Sequence, residues 1–200
     1  MKKKRFFEQY ISKINNTYNN INLEILDKIS EKILSKIKNK RQIFVCGNGG
    51  SASIANHLMC DFNKGIKQTS KKKIIPKIFS LSNSIELITA IGNDYDYSNI
   101  FTQQIENYIN RDDLIIIFSC SGKSKNITKI IKFAKKKNYE IIKFIGFSKI
   151  SKISKKEILL SLNTNNYGIS EDIFQSIMHM ISQNIRSKFI KNFNLQKNKI

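Results

Sequence analysis

The chain has 200 residues, 40% of them hydrophobic, enough for one ordinary domain with a buried core. Its 35 Lys+Arg against 15 Asp+Glu give a formal net charge of +20, with one proline and no tryptophan. No apolar run approaches the roughly 18 residues of a membrane span, and polar residues interrupt the basic start, so neither a membrane protein nor a secretion signal is expected.

Two amphipathic helices are predicted first, in an N-terminal arm over 1–40. Phe6, Tyr10 and Ile14 recur at steps of four; Ile21, Ile25, Leu26, Ile29, Ile33, Leu34 and Ile37 recur at steps of three and four. The pattern then changes to short apolar runs alternating with helices, predicting a sheet domain over 41–191. Ile43–Cys46 reads as a strand, followed by a glycine-rich turn and a helix from about Ser53 to Asn63. Ile78–Leu81 reads as a second strand, with helices near Ile85–Ile91 and Tyr97–Tyr108 after it. Leu114–Phe118 is apolar throughout, as a central parallel strand should be, and a helix follows from Ser124 to Lys137. Ile141–Phe147 and Ile158–Leu162 supply two more strands, and a long helix runs from Ser170 to about Ile190. The basic tail, 192–200, has a composition that favours fraying.

Strand alternating with helix predicts a parallel sheet wound with helices on both faces, an α/β fold in three αβα layers. Ligands of such sheets bind at the carboxyl edge of the strands, so the loops after Cys46, Leu81 and Phe118 are the informative ones. The three cysteines, Cys46, Cys60 and Cys120, form no CxxC pair and suit a reducing, cytoplasmic compartment. Cys46 and Cys60 are expected as small core residues. The lysines are spread along the chain without interleaved aromatics, which argues against nucleic acid as the main partner; a positive field equally favours a phosphorylated substrate.

After the first strand, Gly47-Asn48-Gly49-Gly50-Ser51-Ala52-Ser53 leads into a helix whose free N–H groups favour an anion. The spacing is neither a dinucleotide fingerprint nor a P-loop. After the third strand, Ser119-Cys120-Ser121-Gly122-Lys123-Ser124 places three hydroxyls around a glycine at a helix start. Capping accounts for one serine there and phosphate binding for all three. The only two histidines each come with a carboxylate: His57 lies four residues before Asp61, and His179 lies eight after Glu171. That mix suits a zinc-type metal or proton transfer, and spacing alone does not separate these roles from helix filler.

Taken together, Gly47–His57 with Asp61, Leu87–Tyr97 (LITAIGNDYDY) and Ser119–Asn126 (SCSGKSKN) resemble the sugar isomerase (SIS) domain family, within it the phosphoheptose isomerase group. The resemblance implies a five-stranded parallel sheet with flanking helices, assembled as a homotetramer. It implies conversion of sedoheptulose 7-phosphate to D-glycero-D-manno-heptose 7-phosphate through a cis-enediol, toward nucleotide-activated heptose and surface polysaccharide (lipopolysaccharide or capsule). Asn48, Gly49 and Gly50 match the family's substrate loop, Asn93 and Asp94 its Asn-Asp contact, and Ser119, Cys120, Ser121 and Ser124 its phosphate loop. His57, Asp61, Glu171 and His179 match its zinc ligands and acid/base pair, with Asp61 as base, His179 as acid and Glu171 as a fallback base. The family usually has glutamate where this chain has Asp61, and glutamine where it has Glu171. Ideal helix rise separates Glu171 from His179 by about 12 Å, so an active site shared between subunits is expected. A non-catalytic SIS binding module, or an isomerase of a related phosphosugar, is the alternative reading.

Overall fold

The structure is a computed structural model that describes residues 5–147 and 153–198. Five short runs rich in Ile, Phe and Val become strands: β1 (Gln42–Cys46), β2 (Lys77–Ser80), β3 (Leu114–Ser119), β4 (Glu140–Ile145) and β5 (Glu157–Ser161). They pair in the order β2-β1-β3-β4-β5, all parallel. Alternate residues of one strand feed opposite layers. Ile116 and Phe118 of β3 join the core on one face, while Ile115 and Ile117 join the core on the other.

The first face is covered by α2 (Leu23–Lys38), α3 (Gly50–Asp61) and α8 (Tyr167–Ser187); their residues Ile29, Ile33, Ile54, Leu58, Phe174 and Ile177 pack onto the sheet. Thus α2, although inside the segment read as an arm, belongs to the core. The preceding α1 (Phe6–Asn19) lies on α8, where the Tyr10 hydroxyl donates to Asp172 Oδ2 at 2.8 Å, and leaves Phe6, Phe7 and Ile11 exposed. The second face is covered by α5 (Ile85–Asp94), α6 (Thr102–Glu106) and α7 (Lys125–Lys136), over Phe44, Cys46, Ile115 and Ile117.

Several boundaries differ from expectation. The helix predicted over Tyr97–Tyr108 is a 3-10 turn (Tyr97–Asn99) and then the short α6, because Asp96 captures the Ser98 amide and the Gln104 side chain donates to Leu81 and Ile100 carbonyls. α3 begins three residues earlier than predicted and passes through a π turn (Phe62–Ile66) into α4 (Lys67–Thr69). Cys46 is buried as expected, but Cys60 is exposed: α3 turns Ile54, Ala55 and Leu58 inward and Cys60 to the opposite side. Residues 194–198, expected to fray, form a turn in which Asn194 Oδ1 accepts from Gln196 and Lys197 amides.

One buried charge pair braces the far edge of the sheet. Lys143 of β4 donates to Glu157 Oε2 of β5 at 2.6 Å, with the two side chains 2% and 1% exposed. Lys135 of α7 approaches Glu157 Oε1 at 3.0 Å, an ion pair without hydrogen-bond alignment. Burial raises the Glu157 carboxyl, but the two lysines outweigh it and hold it below the usual carboxylate range.

Candidate active site

β1 and β3 are neighbours at the centre of the sheet, so the loops leaving their carboxyl ends stand side by side. Gly49 has φ +54°, which swings the chain from β1 into α3 at a position that disfavours any side chain. A Cβ on Gly50 would overlap the Glu171 carboxylate, so only glycine lets α8 bring that group over the start of α3. The β3 loop is held by its own serines. Ser119 Oγ accepts from the Gly122 amide at 3.0 Å, and Ser121 Oγ accepts from the Lys123 amide at 3.2 Å. Ser124 sits at the N-cap of α7 but makes no capping bond, so its hydroxyl is not consumed by the helix.

A reciprocal amide pair joins the two loops. Asn48 Nδ2 donates to Asn126 Oδ1 at 2.9 Å, and Asn126 Nδ2 returns a bond to Asn48 Oδ1 at 2.8 Å. The Tyr97 hydroxyl reaches Asn48 Oδ1 at 3.4 Å. The result is a cleft of about 220 Å3 lined by Asn48, Gly49, Gly50, Ser51, Ser119, Cys120, Ser121, Ser124, Tyr167 and Glu171. Cys120 lies 3.9 Å from Glu171 Oε1 and 4.0 Å from Ser51 Oγ. Burial, and then the Glu171 charge, push its thiol up, which leaves it a neutral lining group and not a nucleophile.

Three of the remaining expected residues lie along the groove where α3 and α8 run side by side. His57 and His179 meet edge to face, ring centroids 4.9 Å apart. Between them stands Gln175, whose Nε2 is 2.8 Å from His57 Nδ1 and 3.4 Å from His179 Nε2. A turn further on, Asp61 Oδ1 lies 3.5 Å from Arg186 Nη1. Arg186 is held in turn by Thr69, whose Oγ1 accepts from Nε at 3.1 Å. Asn93 and Asp94 are exposed at the end of α5, bonded to each other at 2.9 Å, and do not line the cleft.

The structure therefore brings together eight expected residues: Asn48, Gly49, Gly50, Ser119, Cys120, Ser121, Ser124 and Glu171. His57 and His179 form a separate pair, and Asp61 stands beside Arg186. Sequence reasoning passed over Ser51, Tyr167, Asn126 and Gln175. Gln175 shares a helix face with His179 but is a polar residue that nothing in the sequence singles out; Tyr167 had no local signal.

A zinc ion held by His57, Asp61, Glu171 and His179 does not fit one chain in this arrangement. Among the described residues no three His, Cys, Asp or Glu side chains converge for a metal, since the imidazoles face an amide, Asp61 faces a guanidinium and Glu171 lies in the cleft.

The SIS domain pattern matches residues 6–146. The chain is 32% identical over 170 residues to "Probable phosphoheptose isomerase" of Thermoplasma acidophilum, covering 85% of this chain and 92% of that one. It is 29% identical to the phosphoheptose isomerase of Thermodesulfovibrio yellowstonii, covering 81% and 79%. Its fold superposes on a phosphoheptose isomerase structure from Francisella tularensis with a TM-score of 0.80 and 25% identity, covering 90% of this chain and 94% of that one. A second such structure, from Neisseria gonorrhoeae, shares the fold at 23% identity with a TM-score of 0.78, covering 90% and 95%. A cleft between two helix starts at the switch point of a 2-1-3-4-5 sheet, together with these likenesses, means that the chain belongs to the SIS-domain family, in its phosphoheptose isomerase group.

Proposed function

We propose that this chain interconverts sedoheptulose 7-phosphate and D-glycero-D-manno-heptose 7-phosphate, an aldose–ketose isomerisation. One observation carries the reading: the α7 start, whose N-cap residue Ser124 makes no capping bond, opens with Ser119, Ser121 and Ser124 into a cleft that lies on the same α3–α8 groove as an imidazole pair. A helix start with serine hydroxyls beside it suits a phosphate monoester. The start of α3 is already covered by Glu171, which leaves the α7 start as the open anion site. Helix rise puts His57 about 10 Å from Gly50, so a phosphate at the serines would lay an extended sugar along the groove with its carbonyl end toward the histidines.

Isomerisation moves a proton between C1 and C2 through a cis-enediol and needs a base at carbon and an acid at the carbonyl oxygen. Asp61 is one helical turn from His57 and is assigned as the base; Arg186 anchors it. His179 is assigned as the acid, with its ring turned by Gln175 and packed on His57. Glu171 accepts hydroxyls of the sugar between the two ends. Among the described residues the donor set of one chain does not suffice for zinc.

Exposed Phe6, Phe7 and Ile11 on α1, and Ile85 and Leu87 on α5, support self-association, and a homotetramer with sites at subunit interfaces is the assembly proposed. Such contacts would let Asn93 and Asp94, outside the cleft of their own chain, serve a neighbouring one. Free cysteines support a cytoplasmic site of action, ahead of nucleotide-activated heptose and surface polysaccharide. Among the described residues no helix is long and apolar enough to cross a membrane. The reading is tested by turnover of sedoheptulose 7-phosphate followed by NMR, which Asp61→Asn and His179→Gln should each abolish in a folded protein. Full activity in a protein that light scattering shows to be monomeric would rule out the shared site.

A further inference from the structure

Glu171 is an anomaly in a cleft built for an anion. Its side chain lines the cleft together with Ser51, Ser119, Ser121 and Ser124, and no Lys, Arg or His side chain pairs with it among the described residues. It is packed against Gly50 and Cys120, so it has no room to leave toward the α3 side. A carboxylate accepts hydrogen bonds but cannot donate them, and it repels a second negative charge brought into the same small space.

We infer that Glu171 is a specificity-determining residue that restricts the cleft to phosphosugars whose carbon chain is neutral next to the phosphate. Polyol and ketose phosphates offer it hydroxyl donors, whereas sugar-acid phosphates and bisphosphates bring a charge that it rejects. The inference rests on the phosphosugar reading of the cleft and adds the substrate class that the cleft excludes. The chain as a whole works in the opposite direction, because a net charge of +20 favours the more anionic of two ligands. Discrimination against the extra charge must therefore be local.

Two small probes with one skeleton isolate the effect, and the 220 Å3 cleft has room for either. Glycerol 3-phosphate ends in a hydroxymethyl group, and 3-phosphoglycerate carries a carboxylate at the same place. Binding of each, and of inorganic phosphate, would be measured by 31P NMR titration on the wild type and on Glu171→Gln, which is nearly isosteric. The wild type should bind glycerol 3-phosphate about tenfold more tightly than 3-phosphoglycerate, a difference that a single like-charge contact readily supplies. Glu171→Gln, whose amide oxygen still accepts from a hydroxyl, should narrow that ratio to about threefold or less, chiefly by gaining 3-phosphoglycerate affinity. Equal binding by the wild type, or discrimination that survives Glu171→Gln, would overturn the inference while inorganic phosphate binding upheld the cleft. A folded wild type that binds none of the three would overturn the inference and the phosphosugar reading together.

Discussion

Replacing Asn126 by alanine should loosen the site and the fold at once. Its side chain, 1% exposed, exchanges two bonds with Asn48 at 2.8 and 2.9 Å and accepts a third from the Ile127 amide at 2.9 Å. At about 1 kcal/mol net for each bond, the loss is about 3 kcal/mol. Asn48 is half-buried, so water recovers part of what it loses, and the better helix propensity of alanine returns about 0.6 kcal/mol. A net cost near 2 kcal/mol remains, which for a chain of this size lowers Tm by about 4–8 °C in a thermal melt. Because the same bonds hold the glycine loop against the serine loop, KM for the phosphosugar should rise about tenfold, with a smaller fall in kcat. Asn126→Asp separates the two effects. It keeps the acceptor for the Ile127 amide and for Asn48 Nδ2, so it should be more stable than Asn126→Ala, yet its charge beside the serine loop should weaken phosphate binding further. An Asn126→Ala protein with unchanged Tm and a KM within twofold of wild type would refute the view that this amide pair sets the cleft.

Other consequences follow from individual contacts. Lys143→Met strands Glu157 with only the exposed Lys135 beside it, and should cost about 3–5 kcal/mol in urea unfolding. Glu157 and Glu140, both held below the ordinary carboxylate value of 4.5 by lysines, contribute stability that is present above that pH and lost as pH falls through their lower folded values; acid melts of Glu157→Gln should show a shallower loss. Gly50→Ala should displace Glu171 and reduce turnover severely with little change in secondary structure, read by kinetics and circular dichroism. Iodoacetamide near neutral pH should label exposed Cys60 first, Cys120 slowly and Cys46 only on unfolding, as peptide mass spectrometry would report.

The sheet was legible because its signal is local. Leu114–Phe118 is apolar at every position, as only a strand covered on both faces can be, and it became the central β3. The two loops were legible together: a glycine turn alone is common and one serine can be a helix cap, but both motifs follow neighbouring strands in an order that points to one site. Cys60 misled because the helical stripe of α3 is set by Ile54, Ala55 and Leu58, and a cysteine carries too weak a hydrophobic signal to show which side it takes. The histidine pair could be suspected from spacing, but its partner could not. Gln175 is polar filler by sequence and becomes the bridge only when α3 and α8 are laid side by side. Asp61 pairing with Arg186 across residues far apart in the chain is likewise a tertiary fact, with no periodicity to announce it.

The most direct test is conversion of sedoheptulose 7-phosphate by purified protein, followed by NMR, for the wild type and His179→Gln. The account predicts heptose 7-phosphate formation by the wild type and none by His179→Gln, with both proteins giving the same melting profile and the same inorganic phosphate binding. Turnover that survives His179→Gln, or a folded wild type that binds phosphate but converts no sedoheptulose 7-phosphate, would contradict it.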